Sequence, residues 1–438
     1  MKRLFTALLL LTFTSSLTAQ SLYFPPTSGN QWETVSPETL GWCPDKVDTL
    51  LNYLEARNSK AFILLKDGKI VLEEYFGTFT QDSVWYWASA GKTLTAFNVG
   101  LAQQDGDLDI NDPTSDYLGT GWTVCPPAKE DLITVKHQLS MTTGLDDAYS
   151  NDCTLDTCLQ YLADAGMRWS YHNGPYTLLD SVMYYATGQT LNSFLFQKLT
   201  IPTGISGAYV PVGYNNVFFS KARSMARFGL LALNEGNWNG NQIMTDANYF
   251  NEMVSTSQLL NLSYGYLWWL NGKASFMLPT VQSVFPGSLN PTAPDDLYMA
   301  LGKNGQLINV VPSQNLVFIR MGNAPNISEL VAPSFNDTIW QHLNDLMCAN
   351  TSIETDQLSE HVDVKLFPNP AGHNVQVVST EPITRLQLYN NLGQAVLNEE
   401  LNGSKNINLD VSQLPSGVYM MHTELSNGTF TREKLITQ

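Results

Sequence analysis

From residue 45 onward the apolar positions follow first a helical and then a strand rhythm. Val47, Leu50, Leu51 and Leu54 fall on one stripe, which predicts an amphipathic helix over 45–57. Two apolar runs follow, 61–66 and 69–76, joined by Asp67-Gly68, and that dipeptide between apolar strands predicts a hairpin. Residues 90–260 read as mainly helical with long loops. Asp105-Gly106-Asp107 and Asn111-Asp112-Pro113 stop the first of these helices. Thr134 is placed to cap a second over 135–143, and 194–199 and 222–234 carry further helical patterns. Strand patterns return at 264–270, 297–301, 306–311 and 316–321, with Pro312-Ser313-Gln314-Asn315 turning between the last two. A closing helix is predicted over 335–347. Strands from both ends of this region must then meet in one antiparallel sheet, with the helical block inserted between them.

The texture changes after residue 348. Residues 349–362 are polar and read as a linker. Short alternating runs follow at 375–379, 383–389, 395–401, 407–411, 417–425 and 429–436, separated by Gly, Asn and Pro. They predict a small all-β sandwich over 363–438. The fold class is α+β, followed by that all-β module.

The start of the chain reads as a secretory signal peptide over 1–19. Lys2-Arg3 is the positive region, Leu4 to Phe13 a short apolar core, and Ala19 the small residue before the expected cut. The main domain is therefore expected over 20–348. The apolar core is too short to span a membrane, and no later run of about 18 or more apolar residues follows. The expectation is an exported protein with no transmembrane segment. Formal net charge is −17; removing Lys2 and Arg3 leaves 21 basic against 40 acidic residues, or −19. Such a chain repels polyanions, so nucleic acid is not an expected partner. Five cysteines in an exported chain invite disulfides. Cys153 and Cys158 are the best local pair. Cys43 and Cys348 could pair if the first and last helices pack together, which leaves Cys125 over. Spacing alone fixes none of these pairings.

The candidate chemistry centres on Ser89-Ala90-Gly91-Lys92, the one Ser-x-x-Lys in the chain. A serine hydroxyl needs a base within hydrogen-bond reach to act as a nucleophile. Residues i and i+3 share a helical face, so a helix starting near Ser89 sets the Lys92 amine over the Ser89 oxygen. Burial would lower the lysine pKa enough for it to act as that base. Free N–H groups at the helix start would favour a developing oxyanion. A second proton carrier is offered by Tyr171 in Tyr171-His172-Asn173, with Asn173 placed to hold Lys92 or a substrate amide. Gly302-Lys303-Asn304-Gly305-Gln306 offers the rest of a site. Lys303 supplies a positive charge, Gly305 close backbone approach, and Gln306 a second oxyanion N–H. Taken singly, these patterns also fit a surface serine and lysine, an aromatic loop and a Gly-rich turn. His137 reads as a structural residue at a helix start, and Trp268 and Trp269 as core or cleft wall. There is no Gly-x-Ser-x-Gly elbow and no His-Glu-x-x-His zinc motif, so the chemistry is expected to need no metal and no cofactor.

The order Ser-x-x-Lys, Tyr-x-Asn, Lys-x-Gly resembles the serine β-lactamase and penicillin-binding-protein superfamily, in particular the class C-related hydrolases. Leu132 to Leu145 and Tyr264-Gly265-Tyr266-Leu267-Trp268-Trp269 add family-like phrases, and the resemblance spans about residues 35–348. It implies a β-lactamase-like fold, an antiparallel sheet flanked by helices with a large helical insertion. It also implies an acyl-enzyme mechanism on an ester or amide bond, peptide-like or lactam. Ser89 would be the nucleophile, Lys92 its base partner and Tyr171 the proton shuttle. Asn173, Lys303, Gly305 and Gln306 would bind substrate. The third motif departs from the usual Lys-Thr-Gly, and Met141 stands where the family usually has His. The alternative reading is a non-catalytic surface protein that binds peptide or cell-wall fragments on the same fold. Leu366-Phe367-Pro368-Asn369-Pro370, the 388–394 stretch and Leu414-Pro415-Ser416-Gly417 resemble a type IX secretion sorting domain. That implies outer-membrane secretion machinery as a partner and a secreted or cell-surface location.

Overall fold

The computed structural model describes residues 22–325, 333–349, 364–390, 395–426 and 430–437. The expected signal peptide and all but the first residue of the expected linker lie outside the described residues. The chain divides into two compact units, Met1–Lys273 with Ser288–Met347, and Ala274–Gly287 with Cys348–Gln438.

The first unit is built on a six-stranded antiparallel sheet. Across it run Lys69–Tyr75, Ser59–Lys66, Leu316–Gly322, Gln306–Val311, Tyr298–Gly302 and Trp269–Leu270. The predicted hairpin and the late strands thus meet where expected, with Ser59 opposite Gly322 and Lys66 opposite Leu316. Successive strand residues point to opposite faces, and each face is covered. Val317 meets the helix Ala222–Leu233, where a Cβ on Gly229 would lie 2.6 Å from its Cγ1. Phe318 meets Trp340 of the helix Pro333–Leu346 at 5.6 Å between ring centres. That last helix packs against Val47–Ala56, and the Cys43 N–H donates to the Leu346 carbonyl at 2.8 Å. The helix Lys92–Asp105 is buried on every side from Lys92 to Ala102, including the polar Lys92, Thr93, Thr95 and Asn98.

Some predicted elements differ. The strand expected over 264–270 survives only as Trp269–Leu270. Tyr264, Tyr266, Leu267 and Trp268 are buried side chains of a tight turn in which Leu267 adopts a φ of 61°, so their apolar run reports burial, not extension. The helix capped by Thr134 stops at Leu139 rather than 143, and Met141 takes a φ of 59°. The 194–199 helix is a short helix Leu191–Leu195 running into one wide turn, Phe196–Thr200. A three-stranded sheet of Val84–Tyr86, Asn215–Lys221 and Gly207–Val212 had no strong pattern, because Pro211 and paired asparagines interrupt it. Cys153 pairs with Cys158; Cys43 and Cys348 are both disulfide-bonded, and Cys125 is the free, buried thiol.

In the second unit five antiparallel strands enclose a core that includes Val375, Val377, Ile383, Leu386, Leu388, Leu409, Met421 and Leu435. The six short runs merge. The runs 375–379 and 383–389 are one strand, Asn374–Tyr389, whose register shifts between Val378 and Ile383. The runs 395–401 and 407–411 become Ala395–Asp410, and Val364–Phe367 adds an edge strand. No helix among the described residues is long and apolar enough to cross a membrane.

Candidate active site

The aromatic run before Ser89 fixes where the serine stands. The Trp85 indole N–H donates to the Gly322 carbonyl at 3.2 Å, and the Trp87 indole to Ser220 Oγ at 2.7 Å. Between them the Tyr86 hydroxyl accepts from Asn304 Nδ2 at 2.7 Å. Three consecutive rings thus tie this strand to three separate segments of the chain. Ala88 then turns through a φ of 47°, a strained value for a residue with a side chain. Ser89 sits on the tight turn Ala88–Gly91 that opens into the helix Lys92–Asp105.

Lys92 Nζ stands 3.4 Å from Ser89 Oγ, a long hydrogen bond. The lysine is 4% exposed, and burial brings its pKa down to about 7. Asp152 and Asp180 oppose that fall. The amine lies over the Tyr176 ring at 3.9 Å and the Tyr171 ring at 5.4 Å. Burial also pushes the Tyr171 phenol above its ordinary value, while a hydrogen bond with the Ser89 side chain works the other way. Ser89, Lys92 and Tyr171 are therefore mutual neighbours. Trp269 stacks on Tyr171 at 5.9 Å and 19°, and Tyr264 meets it edge-on at 6.3 Å, so the phenol ring is held between aromatic faces.

Asn173 has both amide hydrogens committed, to Asn151 Oδ1 at 2.9 Å and Asp152 Oδ1 at 2.7 Å. It does not hold Lys92 through its nitrogen. Asp180 lies behind the lysine, partly buried; burial raises its pKa to about 7 and Asn216 Nδ2 donates to it at 2.7 Å.

In the third segment, Gly302 is the glycine that lies against the serine turn. A Cβ on Gly302 would lie 2.6 Å from the Trp87 carbonyl oxygen and 2.9 Å from the Ala90 nitrogen. A Cβ on Gly305 would instead meet Arg320 at 2.9 Å and Phe335 at 3.1 Å. Gln306, expected to offer its backbone N–H, pairs with Gly302 across the hairpin, and its side chain brackets the Gly322 backbone at 2.6 and 3.0 Å. Lys303 is exposed on the turn that packs against Ala88–Gly91. That turn is braced from behind by Arg320, fully buried, whose guanidinium donates to the carbonyls of Asn304, Gly305, Arg57 and Asn323 at 2.6–3.0 Å. No sequence pattern marked Arg320, Asp180 or the 150–153 segment, because each acts through a contact with a residue distant in sequence. His137 does cap a helix with Thr134, as its position suggested.

This fold, with a serine–lysine–tyrosine group at the buried end of its central helix, defines a class. The chain belongs to the beta-lactamase family, which matches residues 47–332. Residues 365–438 match the secretion system C-terminal sorting domain, which marks the protein for the cell surface or for secretion. An uncharacterised protein of Alkalihalophilus pseudofirmus is 26% identical over 300 residues, covering 60% of this chain and 82% of that protein. Among solved structures, one from Bacillus anthracis assigned as a 6-aminohexanoate-dimer hydrolase superposes with a TM-score of 0.56 at 18% identity, covering 74% of this chain and 90% of that one. A family VIII carboxylesterase superposes at 0.51 and 16% identity, covering 69% and 98%. These likenesses establish the fold. The chain is a hydrolase of the beta-lactamase family that carries an export address.

Proposed function

We propose that the protein hydrolyses an ester or amide bond through an acyl-enzyme on Ser89. Lys92 takes the Ser89 proton as Oγ bonds to the carbonyl carbon. The negative charge collects on the carbonyl oxygen, beside the Ser89 N–H and an N–H of the 302–306 hairpin. The Gln306 N–H, paired across the hairpin with Gly302, is the candidate for that second donor. The tetrahedral centre collapses, the bond to the leaving group breaks, and Tyr171 delivers a proton to that group. The Lys92 ammonium returns a proton to Tyr171; water then attacks the acyl carbon as Lys92 takes a proton from it, the bond from that carbon to Ser89 Oγ breaks, and Lys92 passes the proton to Ser89 Oγ. One observation carries this reading. A buried amine with its pKa near 7 lies 3.4 Å from Ser89 Oγ and 5.4 Å from the centre of the Tyr171 ring. A lysine is a useful general base at neutral pH only under those conditions.

The names of the two structural relatives, an amide hydrolase and a carboxylesterase, support both bond types as substrates. We further propose the boundaries 1–19 for a signal peptide, 20–348 for the hydrolase domain, 349–362 for a linker and 363–438 for the sorting domain. The test is intact mass after incubation with a fluorophosphonate, a penicillin and a p-nitrophenyl ester, for wild type and Ser89→Ala. An adduct in the wild type that is lost in Ser89→Ala is the expected result. No adduct from any reagent would overturn the mechanism and favour a binding protein on the same fold.

A further inference from the structure

A cavity of about 250 Å³ opens where the helix Ala222–Leu233 begins. Lys221, Arg223 and Arg227 line it, with the hydroxyl-bearing Thr27, Thr200 and Ser206 around them. Asp82 is the one acidic side chain on its wall.

The three cations are not equally answered. Asp82 Oδ1 takes the Lys221 amine at 2.6 Å. Glu73 takes Arg223 through two parallel bonds of 2.6 Å each. Arg227 has no ion pair among the described residues, although it is only 6% exposed. Two indole rings hold its guanidinium in place, Trp32 at 5.2 Å and Trp238 at 5.6 Å. Nη1 donates to the Thr203 carbonyl at 2.8 Å and, at 3.5 Å, to that of Pro25; Nη2 donates to the Pro26 carbonyl at 2.7 Å. These acceptors are neutral. They leave the Nε hydrogen and one Nη2 hydrogen without a partner among the described residues. A cation shielded from water and met only by dipoles is costly. Burial, reinforced by the neighbouring Arg223 charge, brings its pKa down to about 10. The helix start in the same place has no side-chain cap, so its free N–H groups add partial positive charge.

We propose that this cavity binds a compact oxyanion, of the size of phosphate, sulfate or a small carboxylate, with Arg227 as its principal ligand. The volume suits that class, since pockets for larger organic ligands begin near ~300 Å³. The anion supplies the countercharge that Arg227 lacks. It also touches both the helix and the segment around Thr27 and Asn30, whose backbone Arg223 and Arg227 already grip, so it fastens that segment to the body of the domain. None of the lining residues belongs to the Ser89 group, and the inference does not depend on the hydrolysis reading.

The test is titration calorimetry of the full chain with sodium phosphate, sulfate and acetate, against chloride at matched ionic strength. At least one of the three should bind saturably at a single site per chain, and their order separates a phosphate-like from a carboxylate ligand. The thermal midpoint should rise by roughly 2 °C or more at about tenfold the dissociation constant. Amide hydrogen exchange over residues 24–31 should slow under the same conditions. Thr27→Glu carries a carboxylate into the cavity on the chain itself. It should raise the thermal midpoint without added anion and abolish the binding. Arg227→Gln should weaken binding by roughly tenfold or more, the range of a charge-assisted hydrogen bond; if that variant does not fold, Thr27→Glu still decides. Phosphate and sulfate also stabilise proteins by exclusion from their surfaces. A rise in midpoint that never saturates and is equal in Thr27→Glu is that general effect, and it overturns the site. Saturable binding that survives in Thr27→Glu lies elsewhere and overturns it too, as does the absence of saturable binding by all three anions.

Discussion

Lys92→Met separates a working base from a buried spectator. Folding carries the amine from an ordinary pKa of 10.5 to about 7, mainly by desolvation. That drop corresponds to about 5 kcal/mol, an upper bound on what burial of the charged amine costs. The folded pKa lies below the unfolded one. The cost is therefore full below about pH 7 and disappears as pH rises toward the unfolded value, where both states are neutral. Methionine fills a similar volume without a charge. The variant should gain about 2–5 kcal/mol at about pH 6.5, less at about pH 8, and almost nothing near pH 10. The same substitution should lower kcat on an activated ester by roughly 10²–10⁴, the usual worth of a general base. Urea unfolding followed by tryptophan fluorescence at these pH values reads the first effect, and ester kinetics reads the second. A variant less stable than wild type at low pH, or one shifted equally at every pH, would refute the depressed pKa and with it the base assignment.

Other outcomes follow from the same geometry. Tyr171→Phe keeps the stacking on Trp269 and removes only the hydroxyl, so thermal stability should hold within about 1 kcal/mol while kcat falls by about 10²–10⁴. The active form carries a neutral Lys92, so kcat/KM should rise through about pH 7. The groups facing that amine are Ser89, Tyr171, Tyr176, Asp152 and Asp180. Asp180 titrates in the same range and raises the lysine pKa, so Asp180→Asn should move the rising limb to lower pH; a limb that stays put or moves up contradicts the pairing. Gly302→Ala puts a methyl 2.6 Å from the Trp87 carbonyl, which displaces the serine turn. Labelling of Ser89 by a fluorophosphonate should slow by roughly 10² in that variant, the usual cost of small misplacements at a reacting centre. Labelling at the wild-type rate would show that the hairpin does not border the nucleophile.

What could be read from the sequence was what local pattern encodes. The Asp67-Gly68 hairpin, the Pro312–Asn315 turn and the strand Gln306–Val311 carry their signals within a few residues. Ser89 and Lys92 lie together because three residues nearly complete a helical turn. Tyr171 was placed by its setting in a polar-aromatic loop. The part played by Gly302 was not legible, because space is what selects glycine there, and space beside Trp87 and Ala90 is a tertiary property. Arg320 read as one more residue of a strand. Its five donors satisfy a turn, the strand's flanks and the Ser59 hydroxyl, all brought together only by the sheet. The Tyr264–Trp269 stretch failed for the opposite reason: full burial gives continuous apolarity, which mimics a strand.

The pairing of Ser59–Lys66 with Leu316–Gly322 also orders events in time. A ribosome has to make more than 250 further residues before the strand that begins at Ser59 can find its inner partner, since Ser59 and Gly322 lie 263 positions apart (322 − 59). Contacts this distant in sequence form slowly and late. Until then the serine, its lysine and the hairpin that borders them belong to separate lengths of open chain. For a chain that carries an export address, this sheet can close only after most of the polypeptide has been made, so the site is one of the last parts of the domain to assemble.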